Sequence, residues 1–191
     1  TSYWLAEAGH AVVFVEKKTF PREKTCGDGL TPRAVRQLQD MGLEERLGDF
    51  HRYDGLRACA HGRSLELRWP DHPRYPSYGY VVRRCDLDTM VAEHAVKAGA
   101  TMRQGTEAVS PLVRDGIVVG AVVKDKERGT TEEVHARYVV VADGANSRFG
   151  RALGTARDAD AVEAILPLLA AGEPAVRREA ATEITEELER R

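Results

Sequence analysis

Four short stretches carry residue types that could do chemistry. Glu16 closes the apolar run Val12-Val13-Phe14-Val15, with Lys17 next to it. An acidic side chain at the end of a buried strand can accept hydrogen bonds from the vicinal hydroxyls of a ribose. Taken alone, Glu16 reads more simply as a solvated strand-end residue. Cys26-Gly27-Asp28-Gly29 lies just before Thr31-Pro32. Glycines on both sides of Asp28 let the backbone approach a flat ligand, and the next helix offers free N–H groups. A surface loop before a capped helix has the same composition. Arg83-Arg84 precedes a second helical stretch. Arg84 there could donate hydrogen bonds to polar ligand groups while keeping its charge; the alternative is a solvated pair. Last, Tyr138-Val139-Val140-Val141-Ala142 runs into Asp143-Gly144, where Gly144 permits close backbone approach and Ser147 can cap a helix. Asp-Gly is otherwise a common turn.

Cys26 has no histidine beside it in sequence to activate a thiolate. A lone cysteine is more often a small buried hydrophobe, so Cys26 is read as lining a site. No residue is assigned a catalytic role, and the sequence holds no pattern of metal ligands.

The elements that must position these residues are legible in outline. Tyr3, Trp4, Leu5 and Ala8 form the apolar side of a short helix stopped by Gly9. The run 11–15 reads as a strand buried on both faces, as in a parallel sheet, and residues 17–30 as a loop. Thr31 is a good N-cap with Pro32 at the first helical position, and Val35, Leu38 and Met41 recur at helical spacing before Gly42. Residues 55–69 suggest a hairpin about His61-Gly62. The Pro- and aromatic-rich stretch 71–78 is a loop, and Tyr80-Val81-Val82 is a short strand. Asp86 caps a helix whose Leu87, Met90, Val91 and Ala95 share one face, ended by Gly99. Strands follow at 108–113, 117–123 and 134–142, the first two joined by Asp115-Gly116, a strong hairpin signal.

The stretch Pro21-Arg22-Glu23-Lys24-Thr25-Cys26-Gly27-Asp28-Gly29-Leu30-Thr31-Pro32-Arg33-Ala34-Val35 resembles a segment that geranylgeranyl reductase family flavoproteins carry after their second strand. Actinobacterial members, including those acting on the isoprenoid tail of menaquinone, are similar. Arg84-Cys85-Asp86-Leu87-Asp88 resembles the R-x-x-L-D element of that family and of the wider aromatic-hydroxylase group. Asp143-Gly144 resembles the Asp-Gly motif of the same flavoproteins. The resemblance covers about residues 1–154. It implies a partial α/β fold, a Rossmann-like FAD/NAD(P)-binding fold of the aromatic-hydroxylase/geranylgeranyl-reductase type with antiparallel β elements. It also implies FAD as cofactor and NAD(P)H as electron donor. In that setting Cys26 and Gly27 border the isoalloxazine ring, Arg22 faces the cofactor, Arg84 contacts the flavin, and Asp143 and Gly144 lie near the pyrophosphate. The implied cofactor-binding set is Glu16, Lys17, Arg22, Cys26, Gly27, Asp28, Gly29, Arg84, Asp143 and Gly144.

The glycine fingerprint expected about 20 residues before Glu16 would fall before Thr1, and the family's later Gly-Asp segment is not in the 191 residues. The chain taken alone is therefore expected to bind FAD weakly. The division implied is a partial FAD-binding domain over 1–154, with 55–82 starting a substrate-side sheet, and an Ala/Glu-rich helical tail over 155–191. In that tail Val176, Ala180, Ile184 and Leu188 fall at steps of four.

A net charge of −2 gives no electrostatic reason to expect nucleic acid. No run approaches the roughly 20 apolar residues of a membrane span, and no signal peptide is visible. Three widely spaced cysteines suit a reducing cytoplasm. The expectation is a cytoplasmic oxidoreductase, peripheral at the inner membrane face, that reduces C=C bonds of an isoprenoid lipid or quinone side chain. An FAD-dependent aromatic monooxygenase is a second enzyme reading. A third is a non-catalytic remnant that pairs with a partner subunit through its C-terminal helices.

Overall fold

The computed structural model of the chain describes residues 1–144 and 147–154. Two units divide it, Thr1–Thr106 and Glu107–Arg191. The expected tail helix, with Val176, Ala180, Ile184 and Leu188, lies outside the described residues.

In the first unit, α1 (Ser2–Glu7) leads into β1 (Val13–Glu16), which pairs in parallel with β7 (Thr101–Gln104). The register sets Val13 opposite Thr101 and Glu16 opposite Gln104. Between these strands run β2 (Gly29–Leu30), α2 (Pro32–Asp40), α3 (Glu44–Leu47), β3 (His51–Tyr53), β4 (Gly55–Ala60), β5 (Arg63–Arg68), β6 (Gly79–Val81) and α4 (Arg84–Lys97). Strand β6 is the centre of a three-stranded antiparallel sheet, with β2 and β3 on its flanks.

The helical spacing of Val35, Leu38 and Met41 has the consequence it predicts. These side chains are buried together with Leu30, Leu43, Leu47, Val82 and Met90, so α2, α3 and α4 share one core with β2 and β6. A smaller cluster of Ala6, Ala95 and Ala100 joins α1 to α4, with Tyr3, Val12 and Phe14 packed around it. The buried residue of α1 is therefore Ala6; Trp4 and Leu5, expected on the apolar side, are 43% and 37% exposed. Nor is β1 buried on both faces: Val13 is 46% exposed, because within the described residues this parallel sheet has two strands only.

The hairpin expected at 55–69 is present as β4 and β5, which form a sheet of their own turning at His61 and Gly62, both at positive φ. Leu56 faces Leu67 and Ala58 faces Leu65 across it, and Leu56, Leu65 and Leu67 are each about half exposed. Thr31 occupies the N-cap position of α2 with Pro32 behind it, but its side chain makes no capping bond.

In the second unit, β8 (Thr106–Arg114, all but its first residue), β9 (Ile117–Asp125) and β10 (Thr131–His135) form an antiparallel meander ordered β10-β9-β8. Asp115 and Gly116 turn between the first two at φ 52° and 76°, the left-handed pair of a two-residue hairpin loop. The strand expected over 134–142 ends at His135. Residues 138–142 are not in a strand, and Tyr138, Val140 and Val141 are 69%, 58% and 37% exposed. An apolar, β-branched run has the propensity for a strand, but a ladder also needs a neighbour to take its N–H and C=O groups. None of the described sheets includes this run. α5 (Arg148–Ala152) follows, and Ser147 Oγ caps it as expected, accepting from Gly150 N–H at 2.6 Å.

Candidate functional site

The site grows from the end of β1. Glu16 is the last residue of the strand, its side chain 20% exposed. The chain then folds back, so that the Lys18 N–H donates to Glu16 Oε1 at 3.0 Å. Gln104, opposite Glu16 across the parallel pair, accepts from Phe20 N–H through Oε1 at 2.6 Å. These ties bring Arg22 back over the strand end. Its Nη2 lies 2.8 Å from Glu16 Oε2, and its guanidinium stands 5.1 Å from the centroid of the Phe20 ring.

Asp28 anchors the far end of the same loop. Its carbonyl accepts from Val82 N–H at 2.8 Å, and its Oδ1 accepts from Arg84 N–H at 3.2 Å. Arg84 is the first residue of α4, and the first-turn N–H groups of a helix have no intrahelical partner. Asp28 thus caps α4 from 56 residues away, where sequence had assigned that task to Asp86. The carboxylate of Asp86 is occupied by Arg83, whose Nε lies 2.8 Å from Oδ2. Asp86 sits inside the first turn, with Arg83 at the N-cap position.

Asp88, one turn further along α4, joins the two halves. Its Oδ1 accepts from Arg84 Nε at 3.0 Å and from Arg84 Nη2. Its Oδ2 lies 3.1 Å from Arg22 Nη1, an ion pair by distance, although Oδ2 has no hydrogen-bond partner. The hydrogen bond to Asp88 holds the Arg84 pKa above the ordinary guanidinium value against the opposing effect of burial, with smaller help from Cys26 nearby. Charges thus alternate from Glu16 through Arg22 and Asp88 to Arg84, each side chain between 13% and 20% exposed.

Of the residues expected from sequence, Glu16, Arg22, Asp28 and Arg84 come together in this network, and Cys26 reaches its edge. Cys26 is exposed. Lys17 is exposed as well, and a side chain at Gly27 would meet open space. Gly29 pairs with Val81 in the small sheet. Asp143 and Gly144 belong to the second unit, exposed, with Gly144 at φ 94°. Two contributors were missed as site residues. Asp88 was visible only as the last letter of a motif, and its spacing of four from Arg84 was the available signal. Gln104 carried none, since only the parallel register places it beside Phe20.

Among the described residues, no group of three or more His, Cys, Asp and Glu is arranged to hold a metal. No described helix is long and apolar enough to cross a membrane.

The FAD binding domain family matches residues 1–183. Over 153 residues the chain is 44% identical to the menaquinone reductase of Mycobacterium tuberculosis, an alignment covering 79% of this chain and 36% of that protein. The chain therefore spans little more than a third of the length of that relative. Among solved structures, a geranylgeranyl bacteriochlorophyll reductase-like protein of Thermoplasma acidophilum superposes with a TM-score of 0.67 at 26% identity, covering 80% of this chain and 38% of the other. A myxobacterial chondrochloren halogenase, described as a variant of FAD-dependent halogenases, superposes with a TM-score of 0.72 at 25% identity, covering 79% and 36%. The fold is thus the Rossmann-like fold of FAD-dependent flavoproteins, with antiparallel sheets added. By this match the chain belongs to the FAD-binding domain family, and the relatives it resembles include reductases of isoprenoid compounds by name.

Proposed function

We propose that the network at the end of β1 is the ribose-side wall of an FAD site. We propose further that the protein reduces carbon–carbon double bonds in the isoprenoid chain of a lipid or quinone. The observation that carries the first step is the convergence of two stretches far apart in sequence, 16–22 and 84–88, on one chain of ion pairs, Glu16–Arg22–Asp88–Arg84. The second step draws on the 44% identity to a menaquinone reductase.

The residues fit the ribose end of such a cofactor. A carboxylate has about four acceptor positions. Glu16 uses one oxygen for the Lys18 N–H and the other for Arg22, so lone pairs remain for vicinal hydroxyls. Arg22 Nε is buried with no hydrogen-bond partner, a donor held without a protein acceptor. Buried polar groups are rarely left in that state, and a hydroxyl that both donates to Glu16 and accepts from Arg22 would complete both.

When bound, FAD supplies the hydride-transfer chemistry, with NAD(P)H proposed as the source of electrons. The chain's own part is to bind and orient. Arg84, oriented by its fork to Asp88, presents a cation on the side of the network where Cys26 and Gly27 leave the loop surface open. Asp28 holds that loop against the start of α4.

Titration of purified chain with FAD, followed by quenching of flavin fluorescence, tests the first step. Weak but saturable quenching is expected, weakened further in Glu16→Gln. A chain that leaves flavin fluorescence unchanged overturns it. For the second step, the full-length protein with NAD(P)H and a prenylated quinone is expected to yield a product heavier by two hydrogens per reduced bond. If NADPH oxidation is instead stimulated by an aromatic acid, with a hydroxylated product, the protein is a monooxygenase.

A further inference from the structure

We propose that Asp88 is a positioning residue of this site. It holds Arg22 and Arg84 in fixed relation, so that Arg22 Nε–H and the Glu16 carboxylate present one donor and one acceptor side by side. The proposal rests on reading Glu16 and Arg22 as the ribose-binding pair.

Residues four apart on a helix lie on the same face, and Arg84 and Asp88 are so placed at the start of α4. Asp88 Oδ1 takes both Nε and Nη2 of Arg84, which engages one side of that guanidinium fork. Oδ2 remains for Arg22. Arg22 stands in a loop where no strand or helix fixes its backbone. Its guanidinium lies between Glu16, 2.8 Å from one terminal nitrogen, and Asp88, 3.1 Å from the other as an ion pair without hydrogen-bond geometry, with Phe20 beside it. That grip sets the direction of the third nitrogen, the buried and unpartnered Nε.

The charges give the same answer. Glu16, Arg22, Asp88 and Arg84 sum to zero as two acids and two bases. Without the Asp88 charge, two guanidinium groups share a mostly buried volume with one paired carboxylate. Arg22 would keep Glu16 but lose the second carboxylate that fixes its other terminal nitrogen, and on a loop it is freer to turn about the remaining contact than Arg84, whose backbone is helical. The Nε–H would then no longer lie next to Glu16.

Arginine Nε–H resonances of the 15N-labelled chain, assigned through loss of the Arg22 signal in Arg22→Gln, read this directly with or without FAD. The wild-type Arg22 Nε–H should exchange slowly with water and shift when FAD is added. Asp88→Asn, which keeps shape but loses charge, should speed that exchange and weaken FAD binding about tenfold, the size of one charge-assisted hydrogen bond. Asp88→Glu should restore much of both. A merely structural role would lower stability in both variants without singling out the Arg22 signal. If Asp88→Asn binds FAD like wild type and leaves Arg22 Nε–H slow, the positioning role is overturned and the ribose reading stands. If wild type does not bind FAD, the ribose reading falls, and Arg22 Nε–H exchange alone decides whether Asp88 holds Arg22. Should Asp88→Asn fail to fold, a folded Asp88→Glu with a fast-exchanging Arg22 Nε–H overturns the proposal, and a slow one supports it.

Discussion

Arg22 folds back on Glu16, Nη2 to Oε2 at 2.8 Å, although Glu16 ends β1 and Arg22 stands midway along the loop that runs from there to β2. The contact closes the loop over the end of β1 and pairs two charges with little exposure. Replacing Glu16 by Gln removes the carboxylate charge that faces Arg22 and keeps the size. Amide exchange of residues 17–24 is expected to quicken, and FAD affinity to fall about tenfold, since hydrogen bonds to a charged group contribute about 1.5–3 kcal/mol. Exchange mass spectrometry and fluorescence titration check the two parts separately.

The core under the small sheet can be probed away from the site. Leu47 is fully buried at the end of α3, in the cluster that joins α2 and α4. Leu47→Ala should destabilise the first unit by about 3 kcal/mol, the sum of lost transfer energy and the cavity left behind. Urea unfolding followed by circular dichroism gives the value.

Gly79 is required for a different reason. A Cβ at this position would collide with the Leu30 carbonyl and the Tyr53 ring, and Tyr53 donates its hydroxyl hydrogen to that same carbonyl at 3.0 Å. Gly79→Ala is therefore expected to cost about 2 kcal/mol or more, in the range of overpacked cores, and to break the β2-β6 pairing that carries Gly29. Loss of amide protection at Val81 and Leu30 would mark it; unchanged protection would show that both the Leu30 carbonyl and the Tyr53 ring can move aside.

One pH effect has a definite sign. The Asp125 carboxyl is held below its ordinary value of 3.8, first by accepting the Arg128 backbone N–H and then that of Glu127. A depressed folded-state pKa contributes stability above the unfolded value and loses it as pH falls through the folded one. The turn after β9 should therefore keep its amide protection at Glu127 and Arg128 from neutral pH down to about pH 4, and lose it only below 3.8. Asp125→Asn should show no such acid step.

The relation between sequence and structure differs from element to element. The helical faces of Val35, Leu38 and Met90, the Asp115-Gly116 hairpin and the Ser147 cap depend on neighbours within a few residues, and all three are present. The Asp86 cap and the 138–142 strand needed information that local sequence lacks. A capping carboxylate serves any helix whose N-terminus comes near, and Asp28 arrives from another loop while Asp86 turns to Arg83. An apolar run becomes a strand only beside a partner.

By itself, the order of residues determined the family, through the run from Pro21 to Val35 and the motifs at Arg84 and Asp143, and with it the cofactor class. It also determined the residue types on which a site could draw. Tertiary structure alone decided that Glu16, Arg22, Asp28 and Arg84 meet, and that Asp88 and Gln104 stand among them. The physical reason is that ion pairs and strand register act through space. Apart from the Arg84–Asp88 pair, which helical spacing brings together, they join residues that sequence spaces 6 to 88 positions apart, and no periodicity along the chain records which of many charges will find one another once the core has closed.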